Sequence, residues 1–266
     1  ERKWLIFNKK SDIIKLRRER GNKMLNIERY NLILELIKNK KNIKLNELVE
    51  EMDVSEATVR RDLNFLEEKG KIRRVHGGAV LIENKEEDII YKKMVFSEEK
   101  NKIGKAAAAL VKNGDIIFLD AGSTTECMIK YLEDKTDIKV VTNGFTHMEE
   151  LTKLGIETYL IGGKVKIKTG ATVGATAAFA LKNYNFDISF IGANGITLDG
   201  YSTPDPEEVI VKSEAIKRGK EVYFLCDESK FKANSFINFA SLDEGMLITN
   251  GKIPMELEKN VRKKED

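Results

Sequence analysis

Apolar residues recur along the first third of the chain at helical spacing. Tyr30, Ile33, Leu34 and Ile37 fall at i, i+3, i+4 and i+7, and Leu45, Leu48, Val49 and Met52 repeat the set. Each set predicts one apolar helix face. After a short break, "DVS", Ser55 is placed to cap a third helix, "EATVRRDLNFLEEK". On that helix Val59, Leu63 and Leu66 are predicted to face inward. Ala57, Arg60, Arg61 and Asn64 face outward, with Glu56 and Thr58 on the exposed first turn. Gly70 stops the helix. Two short apolar runs, "KIRRV" and "AVLI", then flank "HGG", which predicts a hairpin. Three short helices and a hairpin over 24–81 make a winged helix-turn-helix.

The pattern changes further along. Residues 82–96, "IENKEEDIIYKKMVF", are charged, lack a clear period and read as a linker. Ser97 can cap a helix through "EEKNKIGKAAAALV". Apolar strand runs then alternate with helical runs: "DIIFLD", "CMIKYLE", "IKVVTN", "HMEELTKL", "IETYLIGG", and, after "AFALKNY", "DISFIGANG". "PEEVIVKSEAIKRG", "EVYFLCD" and "GMLIT" complete the series. This alternation predicts a mostly parallel, doubly wound sheet over 97–250. Residues 251–266 read as a charged tail.

Composition narrows the class. A chain of 266 residues, 41% hydrophobic, can fill two domain cores. No apolar run reaches the roughly 18 residues that would span a membrane, and "WLIF" is too short for a signal peptide. Cys127 and Cys226, with only His76 and His147 as further soft ligands, have no metal spacing. No metal or cofactor is expected, and a reducing cytoplasm fits. The net charge of +3 is unevenly spread: residues 1–23 carry +6 and the rest −3. The basic pI therefore says little about nucleic acid by itself. Residues 1–23 read as an over-extended frame ahead of a start at Met24, the rival being a basic arm for DNA phosphates.

Charge within 24–80 is nearly balanced, eleven basic against ten acidic residues, but segregated. A helix that enters the major groove needs bidentate or small side chains on its leading face and cations at its flanks. Ser55, Glu56, Thr58 and Asn64 suit the first need, and Arg60 and Arg61 serve the first or the second. Lys69, Lys71, Arg73 and Arg74 suit the second, with His76 in the turn of the wing. "VSEATVRRDLNFLEEKGKIRRVHGGAV" resembles the helix-turn-helix signature of the DeoR family of bacterial transcriptional regulators. The partner expected is double-stranded operator DNA. Two reading heads per operator imply a homodimer or homotetramer.

In parallel sheets ligands bind beyond the carboxyl ends of the strands. Small and polar clusters lie there: Asp120 with Gly122, Ser123, Thr124 and Thr125; Thr142 with Asn143; Gly162 with Gly163; Gly192 with Ala193, Asn194 and Gly195. Hydroxyls, backbone N–H groups and lysines can hold phosphate oxygens. Lys164, Lys166, Lys212 and Lys230 are the candidate countercharges, and Glu208 precedes Lys212 by one turn. These clusters are similar to the DeoR-family sensor domain. The resemblance implies a fold like ribose-5-phosphate isomerase and a phosphorylated sugar as effector. "VTNGFTHMEELTKLGIETYLIGGKVKIKTGATVG" and "FIGANGITLDGYSTPDPEEVIVKSEAI" look most like the fructose-operon repressor branch, which implies fructose 1-phosphate. The rival is an isomerase, which needs a general base. The isomerases carry Asp-Gly-Ala-Asp-Glu in the stretch that Ile191 to Gly195 resembles. Here Ile191, Asn194 and Gly195 replace the carboxylates, although Glu207, Glu208 and Lys212 remain. The expected output is altered DNA affinity rather than a product.

Overall fold

The computed structural model describes residues 26–40, 42–68, 71–75, 77–81, 89–94, 97–231 and 233–263. The chain divides into two units, Glu1–Asn84 and Lys85–Asp266. The readings of 1–23, Lys69, Gly70 and His76 lie outside the described residues.

In the first unit the three predicted helices are α1 (Asn26–Lys40), α2 (Leu45–Met52) and α3 (Glu56–Glu68). Their apolar stripes meet: Ile33, Ile37, Leu48, Val59, Leu63 and Leu66 are all buried. Each such side chain contributes about 1.5–3 kcal/mol by leaving water. Asp53 closes α2 in the left-handed region at φ 51°, its N–H bonded to the Val49 carbonyl at 2.9 Å. Ser55 Oγ then accepts the Thr58 N–H at 3.3 Å, the predicted cap. The wing is β2 (Ile72–Val75) with β3 (Gly78–Leu81), and a third strand, β1 (Asn42–Lys44), pairs with β3 on its other side. A Cβ on Gly78 would meet the Ile43 carbonyl oxygen at 2.1 Å, so glycine is what lets β1 join the wing. Asp62 also points inward from α3, and Arg29 of α1 grips it twice, Nε to Oδ2 at 2.6 Å and Nη2 to Oδ1 at 3.0 Å.

The second unit opens with α4 (Ile89–Met94) and α5 (Ser97–Ala108). It continues through β4 (Ile116–Leu119), α6 (Ser123–Glu126), β5 (Lys139–Thr142), α7 (Met148–Lys153) and β6 (Glu157–Leu160). A hairpin of β7 (Lys164–Lys166) and β8 (Ala171–Val173) leads to α8 (Ala175–Leu181) and β9 (Phe186–Gly192). Then come β10 (Gly195–Thr197), β11 (Gly200–Thr203), α9 (Pro206–Arg218), β12 (Gly219–Leu225) and β13 (Ile237–Ala240). The last elements are β14 (Met246–Ile248), α10 (Met255–Glu258) and β15 (Arg262–Lys263). Seven strands pair in parallel in the order β15-β14-β12-β9-β4-β5-β6. Side chains alternate across β4: Ile117 and Leu119 enter the core that α5 covers, and Phe118 enters the core beneath α8 and α9.

Three readings change. The linker stretch 82–96 contains α4, and its part from Lys85 onward belongs to the second unit. "CMIKYLE" is not one helix: α6 ends at Glu126 and a 3-10 turn covers Ile129–Leu132. The charged tail adds an edge strand, β15, because Ile253, Leu257 and Val261 recur every four residues and are buried.

Candidate functional site

On the first unit, Ser55, Glu56, Arg60, Arg61 and Asn64 are exposed on α3, as the helical period requires, with Thr58 half-buried. Arg60 leans back onto Glu56, Nε to Oε1 at 2.8 Å. Asn64 accepts from Arg74 Nη1 at 2.5 Å, and Glu67 accepts the Arg74 N–H at 2.7 Å, so the wing is fastened to α3. Arg73 lies on β2, paired with Val80. Lys71 departs from the exposed position expected of it: the residue is only 6% exposed. Its N–H bonds to the Leu66 carbonyl at 2.9 Å, which turns the backbone back onto α3.

The strand order of the second unit reverses at β4 and β9, since β5 and β6 extend to one side of β4 and β12 and β14 lie beyond β9 on the other. A crevice forms at such a switch point, outside the carboxyl ends of the two strands. Here it is an open cleft with about 540 Å³ of space between its walls, open solvent included, and a water-accessible volume of about 50 Å³. Gly122, Ser123, Thr124, Thr125, Gly192, Ala193, Asn194, Glu208, Lys212 and Lys230 line it, as the sequence suggested. Asp120 lies buried behind that lining. Five other candidates stand elsewhere. Thr142 is buried, its hydroxyl bonded to the Leu119 carbonyl at 2.6 Å. Asn143 accepts the Ala121 N–H at 2.8 Å and donates to the Thr172 carbonyl at 3.2 Å, and so braces the β4–α6 turn from outside. Gly162 and Gly163 follow β6, two strands from the switch point, and Gly195 is packed within β10 against the Ala233 carbonyl. Ile89, Lys92, Thr169 and Leu225 also line the cleft, unsuspected, as does Ala121 from within the Asp120–Thr125 cluster. Leu225 could have been found from its strand end; Ile89, Lys92 and Thr169 carry no local signal.

The floor is a charge network. Asp120 Oδ2 pairs with Lys212 Nζ and accepts the Gly192 N–H at 2.9 Å. Lys212 also donates to the Gly192 carbonyl at 3.0 Å and lies 5.4 Å from the centre of the Phe239 ring. Burial pushes the Asp120 carboxyl above its ordinary range, with Lys212 opposing. Glu208 accepts from Thr203 Oγ1 at 2.7 Å and from Lys166 Nζ at 3.2 Å. Burial opposes its charge, but Lys212, Lys166, the Thr203 hydroxyl and, more weakly, Lys92 together outweigh burial and hold it below the usual carboxylate range. Lys164 is engaged outside the cleft, 2.6 Å from Glu207. The hydroxyl of Thr125 is spent on the carbonyls of Asp120 and Gly122, at 2.6 and 2.9 Å. Ser123 and Thr124 are then the hydroxyls at the turn, beside the first N–H groups of α6.

His147 stands behind the turn, its Nδ1 3.1 Å from Thr142 Oγ1. Burial pushes its pKa down to about 4, with the Gly122 backbone opposing and Lys93 adding to the fall. A histidine whose folded pKa lies below the unfolded one takes its proton first in the unfolded chain. Stability is therefore lost as pH falls through about 6.5 toward 4, by about 2 kcal/mol at pH 5. Urea midpoints at pH 7.5 and pH 5 should differ more for the natural protein than for His147→Gln; equal differences would exclude this source.

Among the described residues no group of His, Cys, Asp and Glu could hold a metal ion, and no helix is long and apolar enough to cross a membrane. Residues 29–85 match the model of the DeoR-like helix-turn-helix domain, and residues 95–251 match that of the DeoR C-terminal sensor domain. The chain is 44% identical to the uncharacterized HTH-type transcriptional regulator FruR of Bacillus subtilis (strain 168), over 85% of this chain and 91% of that protein. It is 36% identical to the HTH-type transcriptional repressor GlcR of the same organism, over 85% and 89%. Against the glycerol-3-phosphate regulon repressor of Escherichia coli (strain K12) the identity is 32%, over 82% and 88%. Among solved structures, ribose 5-phosphate isomerase A from Methanocaldococcus jannaschii overlaps 51% of this chain and 54% of that one, at 22% identity and a TM-score of 0.38.

Proposed function

Because the chain belongs to the DeoR family of transcriptional regulators, we propose that it is a repressor of a sugar-utilisation operon whose hold on operator DNA is altered by a phosphorylated sugar in the β4–β9 cleft. One observation carries the effector half of this reading. The cleft sets Ser123, Thr124 and Lys230 around a floor where both carboxylates are already engaged, Asp120 by Lys212 and Gly192, Glu208 by Thr203 and Lys166. Hydroxyls and cations suit a phosphate. Carboxylates committed to lysines are poorly placed to take a substrate proton, which favours a sensor over an isomerase.

A panel of phosphorylated sugars led by fructose 1-phosphate tests the effector. A ligand at 100 times its Kd should stabilise the native state by about 2.7 kcal/mol and raise the melting temperature. No shift with any member, or isomerase turnover at ordinary enzyme rates, would remove the reading.

For the DNA half, Arg61 is exposed on the outer face of α3 and belongs nearest the bases. Arg61→Ala should weaken specific operator binding by about 5- to 150-fold, since a bidentate base contact discriminates by about 1–3 kcal/mol. The fold should be unchanged by circular dichroism. Gel-shift affinity equal to that of the natural protein would place the base contact elsewhere. Two heads on one operator need at least a dimer, and sedimentation with and without operator DNA measures it.

A further inference from the structure

Resting on the cleft as the ligand site, we propose that its far wall, α4 with Thr169, is part of that site, and that ligand held there clamps the helix that leads to the DNA-reading unit. Lys92 would take part of the ligand's anionic charge and Thr169 one of its hydroxyls.

The first support is position. Ile89 and Lys92 line the cleft together with the strand-end residues, and only residues 82–88 separate α4 from the last strand of the wing. The second is fastening. The Ile89 N–H bonds to the Lys168 carbonyl at 2.8 Å, next to Thr169. Lys93 Nζ pairs with Glu126 Oε1 at 2.5 Å, and Lys100 Nζ donates to the Lys92 carbonyl. Glu126 ends α6, the helix that Ser123 and Thr124 open, so α4 is tied to the turn that faces the ligand.

The third is an orphan. Thr169 is 8% exposed, lines the cleft, and its Oγ1 has no hydrogen-bond partner among the described residues. A buried hydroxyl left unmatched is unfavourable unless something supplies the bond. A sugar hydroxyl in the cleft can do so. Charge points the same way. Lys92, Lys212 and Lys230 all line the cleft, and cations in a lining suit an anionic ligand. A ligand that contacts α4 only when α4 is docked stabilises the docked state, which is the differential interaction that coupling requires.

The test uses the full chain with fructose 1-phosphate, glucose 6-phosphate, glycerol 3-phosphate and inorganic phosphate as probes. Affinity is read by calorimetry and the exchange of amides 89–94 by mass spectrometry. Lys92→Gln should weaken the best sugar phosphate at least tenfold. Lys112→Gln, exposed on the loop before β4 at the other end of that strand, should stay within twofold. Thr169→Val should weaken it at least fivefold while the ligand-free melting temperature holds or rises, an outcome a merely structural threonine would not give. Ligand should slow exchange across 89–94 at least tenfold, and inorganic phosphate should bind less tightly than the sugar phosphate. If the natural protein binds a sugar phosphate while both variants bind as well, or while exchange across 89–94 is unchanged, this wall is not part of the site and the cleft reading stands. If no sugar phosphate binds, the cleft reading itself falls and takes this one with it.

Discussion

Lys212→Met is expected to lower the stability of the second unit by about 3–5 kcal/mol at pH 8 and to abolish its response to phosphorylated sugars. Methionine keeps most of the side-chain volume, so packing against Phe239 survives and the loss is electrostatic. What it leaves is Asp120, fully buried, with one N–H, that of Gly192, still donating to its carboxylate. Burial already pushes that carboxyl upward against the pull of Lys212, and without the lysine it rises further. A carboxyl whose folded pKa lies above its unfolded value is a penalty above the folded pKa, removed as pH falls below it. The deficit of Lys212→Met should therefore shrink between pH 8 and pH 5. Adding Asp120→Asn should recover most of the stability and none of the ligand response, because the cation at the cleft floor is still missing. Urea unfolding at both pH values, followed by calorimetry with the sugar phosphate, reads all of these. Coincident midpoints for the natural protein and Lys212→Met at pH 8 would refute the buried pair as a determinant of stability.

That pair joins residues 92 positions apart, and nothing in either local sequence announces it. The elements themselves were more legible. Helix periods in Tyr30–Ile37 and Leu45–Met52, the Ser55 cap and the β4, β5, β9 and β12 runs each follow from local spacing. Strand β1 was not legible, because "NIK" has no strand character of its own and pairs only where Gly78 lets β3 come close. The short antiparallel pieces β7–β8 and β10–β11–β13 are likewise fixed by their partners. At the site, the strand-end rule found Gly122–Thr125 and Gly192–Asn194, where β4 and β9 adjoin. Thr142, Asn143, Gly162 and Gly163, marked by the same rule, stand outside the cleft lining, because a crevice opens where the strand order reverses, and that order is a property of the whole sheet. Ile89 and Lys92 were missed for the opposite reason: a charged, aperiodic stretch becomes part of the cleft only by packing. In the first unit, Asp62 lies on the inward stripe between Val59 and Leu66, and the helical period alone could have marked it.

Asp62→Ala should cost the first unit about 3–5 kcal/mol and abolish DNA binding, although Asp62 itself faces away from the reading surface. The Arg29 guanidinium meets both carboxylate oxygens, at 2.6 and 3.0 Å, where Asp62 is 1% exposed and Arg29 8%. Removing the acid takes both of these charged hydrogen bonds from a buried guanidinium. The pair also ties α1 to α3, and Asp62 is the next residue after Arg61, so the reading helix loses its anchor where it would meet the bases. A unit of this size has only a few kcal/mol in reserve, so a loss of that size should unfold it. The second unit, whose core contains none of these residues, should keep its ligand response and leave a single unfolding transition, its own. Arg29→Met combined with Asp62→Leu replaces the ion pair by apolar groups and should restore folding, since a buried pair exchanged whole is often neutral or better. Gel shift, circular dichroism and sugar-phosphate calorimetry on the same samples separate the outcomes. If Asp62→Ala binds operator DNA with natural affinity, the Arg29–Asp62 pair does not hold the reading helix in place.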